Sequence, residues 1–111
     1  MLNQVILVGR LIAIPMAELD QFRNTRVSIT VAIQRPFESS KKGVYETDFI
    51  KCFLLDGLSK DIEALGYFSK GATVGIKARL VEAHYMIDGK TALSYSEVVV
   101  EKITFISKGG E

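Results

Sequence analysis

The stretch Tyr45-Glu46-Thr47-Asp48-Phe49-Ile50-Lys51-Cys52-Phe53-Leu54-Leu55-Asp56-Gly57-Leu58 decides how the rest of the chain is read. It opens just past Gly43 and reads as one long strand running into a helix start. Strand side chains alternate between faces, so Ile50, Cys52 and Leu54 share one face while Phe49, Lys51, Phe53 and Leu55 share the other. Both faces are apolar, and one adds a cation. A strand wholly inside a core rarely carries a lysine at its middle, because an unpaired buried ammonium is costly. One face therefore meets solvent while still presenting rings. Flat rings beside a cation suit bases and phosphates. A core strand with one snorkelling lysine is the other reading open at this point.

At 111 residues the chain is one domain with a modest core. Apolar residues make up 48% of it, which marks a globular rather than a disordered chain. The net charge of +1 gives no whole-protein attraction for nucleic acid, so any basic surface must be local. Cys52, the single cysteine, rules out an internal disulfide framework and fits a reducing cytoplasm. It reads as a small buried hydrophobe rather than a reactive thiol. The chain shows neither a secretory signal pattern nor an apolar run of about 18 residues, so no membrane association is expected.

Upstream of the central stretch, residues 3–14 form an apolar strand interrupted by Gly9-Arg10. Glycine inside a strand marks a bulge or a tight bend, as closing a small barrel requires. Arg10 reads either as a phosphate contact or as a solvated edge charge. Pro15 ends the strand, and residues 16–24 read as a polar connection. Val27, Ile29, Val31 and Ile33 alternate with Ser28, Thr30, Ala32 and Gln34 in a half-buried strand. Arg35-Pro36-Phe37 closes it, and residues 38–43 form an exposed hairpin loop.

Downstream, Asp56 serves as N-cap for a short helix through Phe68, with Leu58, Ile62 and Leu65 at helical spacing. Gly71 stops it. Val74, Ile76, Ala78 and Leu80 then alternate with a face carrying Lys77 and Arg79, and this strand runs on through Tyr85. Asp88-Gly89 is a hairpin turn signal. Residues 93–106 form the last strand, whose apolar phase shifts near Glu97-Val98, suggesting a bulge or a change of partner surface. The order predicts an all-β fold: a five-stranded Greek-key OB-fold barrel over residues 1–106, with one short helix between strands 3 and 4 and a frayed end at 107–111. Such barrels bind oligonucleotides or oligosaccharides across their second and third strands.

The opening Met1-Leu2-Asn3-Gln4-Val5-Ile6-Leu7-Val8-Gly9-Arg10-Leu11 resembles the start of bacterial single-stranded DNA-binding proteins, which follow a Met-x-Asn-x-Val-x-Leu-x-Gly-Arg-Leu pattern. The likeness continues in Val31-Ala32-Ile33-Gln34-Arg35-Pro36-Phe37 and in Glu46-Thr47-Asp48-Phe49-Ile50-Lys51-Cys52. It extends to Lys70-Gly71-Ala72-Thr73-Val74-Gly75-Ile76 and Glu97-Val98-Val99-Val100, covering residues 1–106 in order. The resemblance implies that bases stack on Phe37, Phe49, Leu55 and Tyr85, and that phosphates meet Arg10, Arg35, Lys51, Lys77 and Arg79. It implies protection of single-stranded DNA in replication, recombination or repair by a non-enzymatic protein without cofactor or metal. It further implies a homotetramer, with the dimer as fallback, in the cytoplasm of a bacterium, encoded there or by a plasmid or phage, and associated with the nucleoid. The apolar run Val5-Ile6-Leu7-Val8 and the Ile103/Phe105 end exceed what a lone small barrel exposes, in keeping with self-association.

The sequence departs from the family pattern in several places. It has no tryptophan, and Leu55 offers no π-face at a stacking position. Glu82 and His84 precede Tyr85 where the family commonly has an arginine-rich run. Weaker and more salt-sensitive binding is therefore expected. The chain ends at Glu111 without the acidic, apolar-tipped tail by which the family recruits replication and repair enzymes, so tail-mediated recruitment is not expected. Two other functions compete. One is an OB-fold protein–protein adaptor similar to primosomal replication proteins, with weak or no DNA binding. The other is an OB-fold nuclease, which needs converging acidic metal ligands. Of the only clustered acids, Glu46, Asp48 and Asp56, the last lies eight residues beyond Asp48, about 26 Å along a strand.

Overall fold

A computed structural model describes residues 1–13, 15–20, 22–55 and 70–108. They form β1 (Val5–Leu11), β2 (Met16–Leu19), β3 (Thr25–Gln34), β4 (Thr47–Leu54), β5 (Thr73–Ile87) and β6 (Lys90–Ser107). The strands lie in the order β1-β5-β6-β4-β3-β2, and a further β1–β3 pairing closes five of them into a barrel. The β4–β6 pairing is parallel and the others are antiparallel. This is the expected five-stranded Greek-key OB barrel. The expected helix over residues 56–68 lies outside the described residues, and no helix occurs among those described.

Closure depends on β1 serving two partners. From Val5 to Arg10 it pairs with β5, while Arg10 and Leu11 also pair with Ala32 and Val31 of β3. Gly9 sits at this handover. A Cβ there would lie 2.6 Å from the Ala32 carbonyl oxygen, a backbone atom that no rotamer change can move aside. The bend expected from Gly9-Arg10 is thus a close backbone approach that only glycine permits.

The inward phase of each strand fills the barrel. Leu11, Ile29, Val31, Cys52, Leu54, Val74, Ile76, Ala78 and Val100 are buried, with Val5, Leu7, Ile50, Val98 and Ile103 packed against them. Each large aliphatic group removed from water contributes roughly 1.5–3 kcal/mol. The run Val5-Ile6-Leu7-Val8 divides by alternation: Val5 and Leu7 face the core, Ile6 and Val8 face out.

Several boundaries differ from the sequence-based expectation. Residues 16–24 are not a plain connection, since Met16–Leu19 pairs with β3 from Ser28 to Thr25. The Asp20 carboxylate then holds the turn, with Oδ1 accepting from the amides of Phe22 (2.8 Å) and Asn24 (2.9 Å). All four β2 residues are exposed, so no hydrophobic period announces the strand. The central strand starts at Thr47 rather than Tyr45. The last strand starts at Lys90 and includes Ser107. Its change of phase falls at Glu101 rather than at Glu97-Val98: Ala78 faces Val100 and Lys77 faces Lys102, leaving Glu101 unpaired. The expected turn is present, with Asp88 (φ 53°) and Gly89 (φ 75°) both left-handed, as a two-residue type I′ connection requires. Beyond the Leu80–Val98 pair, where the β4–β6 pairing ends, the β5–β6 hairpin leaves the barrel and carries exposed Tyr85, Ile87, Leu93 and Tyr95.

Candidate nucleic-acid interface

The outer phase of β4 carries Phe49, Lys51 and Phe53, whose β3 partners are Ala32, Thr30 and Ser28. Short side chains beside long ones leave the ring faces uncovered, and Phe49 is 65% exposed. Phe53 is half-buried because the Arg26 guanidinium lies 3.7 Å over its ring, with the Lys51 ammonium 5.2 Å from the same centroid. Arg26 is held there by two parallel hydrogen bonds, its Nη1 and Nη2 each donating to a Glu97 carboxylate oxygen at 2.9 Å. Those bonds raise the Arg26 pKa and give the Glu97 carboxylate, 8% exposed, a partner for each oxygen. Lys51 Nζ meets Glu18 Oε1 of β2 at 2.8 Å.

Two hollows open on this face. One, of about 490 Å³, is lined by Phe49, Lys51, Phe53, Tyr95 and Glu97. The other, of about 260 Å³, is lined by Asp20, Phe22, Arg26, His84, Tyr85 and Tyr95. They adjoin, because Tyr95 belongs to both.

Of the four expected stacking residues, Phe49 therefore borders the first hollow and Tyr85 the second, at 65% and 50% exposure. Tyr85 lies within β5 rather than after it, opposite Leu93. Phe37 is 62% exposed but stands in the bend after β3, which ends at Gln34; Leu55 is 40% exposed just past β4. Neither is among the residues lining these two hollows.

The five expected phosphate contacts are spread more widely. Arg10 shares a cross-strand row with Ala32 and Phe49, and Arg79 shares one with Val99 and Phe53. Arg35 is tied to Asp48 by Nε at 3.1 Å and Nη2 at 2.9 Å, and to Glu46 by Nη1 at 2.6 Å. These hydrogen bonds raise the Arg35 pKa and hold the Asp48 carboxyl below its usual range. Lys77 stands elsewhere, between Ile6 and Lys102 in a hollow of about 280 Å³ that also includes Val8 and Thr104. Glu82 is not bare, since its Oε1 meets His84 Nε2 at 2.9 Å.

Sequence reasoning passed over Arg26, Phe22 and Tyr95, and it placed Phe53 on the right face without assigning it to the site. Phe53 was legible from its alternation with Phe49. Tyr95 was not, because only the hairpin register that sets it opposite Ala83 brings it here. For the nuclease reading, Glu46 and Asp48 are both engaged by Arg35, Asp56 lies outside the described residues, and no three His, Cys, Asp or Glu residues converge among those described.

Residues 2–106 match the model of the single-strand binding protein family. A single-stranded DNA-binding protein of Oceanobacillus iheyensis is 33% identical over 116 aligned residues, covering all of this chain and 70% of that one. One from Staphylococcus aureus is 32% identical over 106 residues, covering 96% of this chain and 66% of the relative. One from Halalkalibacterium halodurans, 30% identical, is covered over 64% of its length, so the chain spans about two thirds of these relatives. Among solved structures, the wild-type single-stranded DNA-binding protein from Thermus aquaticus superposes with a TM-score of 0.71 at 23% identity, over 96% of this chain and 50% of that one. The Plasmodium falciparum SSB, solved in complex with single-stranded DNA, superposes with a TM-score of 0.67 at 14% identity over 96% of both chains. These two likenesses bear on the fold, whereas the match over residues 2–106 establishes kinship: the chain belongs to the single-strand binding protein family.

Proposed function

We propose that this chain binds single-stranded DNA with little regard to sequence, as a binding protein and not an enzyme. The observation that carries the reading is the row of open rings on the outer face of β4 and β6, bordered by cations. Stacking is tolerant of sequence because every base has a π-face, and each stacked base contributes about 1–3 kcal/mol. In this reading Phe49 and Tyr85 stack bases beside Tyr95. Phe37 extends the path past the end of β3, and Leu55 contributes apolar contact only. Arg10, Arg35, Lys51, Lys77 and Arg79 meet phosphates, releasing counterions. Family membership favours this reading over the adaptor. Service in replication, recombination or repair in a bacterial cytoplasm belongs to the same proposal. So does self-association into a homotetramer, or at least a dimer, for which exposed Ile6 and Val8 on β1 supply apolar surface.

Titrating a fluorescent oligo-dT at about 50 mM salt and again at high salt tests the proposal. Binding is expected that weakens with salt, and Phe37→Ala and Phe49→Ala should each lower affinity by about 1–3 kcal/mol without loss of fold. No binding at the lower salt would leave the adaptor.

A further inference from the structure

The five cations expected to meet phosphates differ in what they touch. Lys51 is paired with Glu18 at 2.8 Å, and Arg35 with Glu46 and Asp48 at 2.6 and 2.9 Å. All five side chains are substantially exposed, between 43% and 53%. Arg10, Lys77 and Arg79 make no such pair with an acid among the described residues. The Arg26–Glu97 pair is of another kind, since Glu97 is buried and its two bonds hold Arg26 on Phe53. Exposed pairs of the first kind are weak and exchange freely with other anions.

We propose that Glu18, and Glu46 with Asp48, are affinity-setting residues that occupy Lys51 and Arg35 in the free protein as stand-ins for DNA phosphates. The inference rests on the DNA-binding reading and deepens it. When a phosphate takes Lys51, the DNA releases a condensed cation, but Glu18 is left bare and attracts one from solution. The two ion movements offset, so Lys51 adds little to the salt dependence of binding. A free lysine would add roughly 0.7 to the slope of log K against log salt on a single strand. The same holds for Arg35 against its two carboxylates. The chain's salt slope is therefore shallower than five phosphate contacts imply, reversing the expectation of unusually salt-sensitive binding.

The experiment measures oligo-dT affinity over a salt series for the wild type, Glu18→Gln, the double variant Glu46→Gln/Asp48→Asn, and Glu101→Gln. Glu101 is the control for Glu18: it is exposed, unpaired in the strand register, and its removal changes the net charge as much as Glu18→Gln does. Glu18→Gln should bind roughly two- to fivefold tighter at low salt and steepen the slope by up to about 0.7. Glu101→Gln should do neither, and adding Lys51→Gln to Glu18→Gln should abolish the gain. The double variant should act through Arg35 in the same sense. Thermal melts of each variant show that the fold is retained. Wild-type binding with an unchanged slope in Glu18→Gln, or an equal gain in Glu101→Gln, overturns the inference while leaving the DNA-binding reading intact. Absence of binding by every chain overturns both.

Discussion

On β4 the residues that alternate outward are Phe49, Lys51 and Phe53; on β1 they are Ile6, Val8 and Arg10. Both strands send their other phase into the same core, and both lie beside short residues, Ala32 and Thr30 in one case and Gly75 in the other. Yet one outer surface is aromatic with its lysine neutralised by Glu18, and the other is aliphatic with Lys77 and Lys102 facing each other. Like charges directly opposite in a sheet repel and gain most from an added anion or a covering partner. The contrast teaches that local positive charge alone does not single out one face of this barrel. Exposed rings do, and of the cations beside them Lys51 and Arg26 are paired with acids while Arg10 and Arg79, among the described residues, are not.

Four experiments break or sharpen that contrast. The largest effect is expected within the aromatic face, where a buried pair and an exposed pair coexist. Glu97→Gln should cost about 2–3 kcal/mol of stability, because it leaves Arg26 without its anion over Phe53. Glu18→Gln should stay within about 0.5 kcal/mol, and urea denaturation of both compares them. Equal costs would mean that the two pairs do not differ in kind.

The second concerns the interior behind both faces. Burial pushes the Cys52 thiol from its usual 9.0 up to about 11. The unfolded chain gives up that proton first, so stability held below pH 9 falls as pH rises through about 11, by on the order of 2 kcal/mol. The loss should be smaller in Cys52→Ala, as urea midpoints at the two ends of that range would show.

The third compares the faces directly. Tyr95→Ala should weaken oligo-dT binding by about 1–3 kcal/mol, whereas Ile6→Ala should leave it unchanged and alter only self-association, read by light scattering. The smallest effect separates bare from engaged cations. Arg79→Gln should flatten the salt slope by roughly 0.7, while Lys51→Gln in the otherwise unaltered chain should hardly change it.

Much of the barrel was legible because its strands obey a period of two over eight to ten residues, as in Thr25–Gln34 and Thr47–Leu54. Turn chemistry located the Asp88-Gly89 hairpin, and a glycine located the seam of the barrel. Strand β2 escaped because it is four residues long and wholly exposed, held by register and by the Asp20 turn rather than by a buried stripe. The bulge at Glu101 was displaced in the sequence reading by Glu97, a buried acid that breaks the apolar phase without breaking the ladder. At the candidate site, Phe49 and Tyr85 were readable one at a time. The neutralisation of Lys51 was not, since Glu18 lies 33 positions from it and meets it only because β2, β3 and β4 are neighbours.

Tyr95 forms a wall common to both hollows, and this has a bearing on oligomer length. A polymer filling both places two of its units against one phenol, so that side chain is immobilised once for two occupants. The second unit then binds to a wall already fixed, at a lower entropic cost than the first. Affinity should accordingly climb in a step, not in even increments, as short oligonucleotides are lengthened past the span from Phe49 to Tyr85.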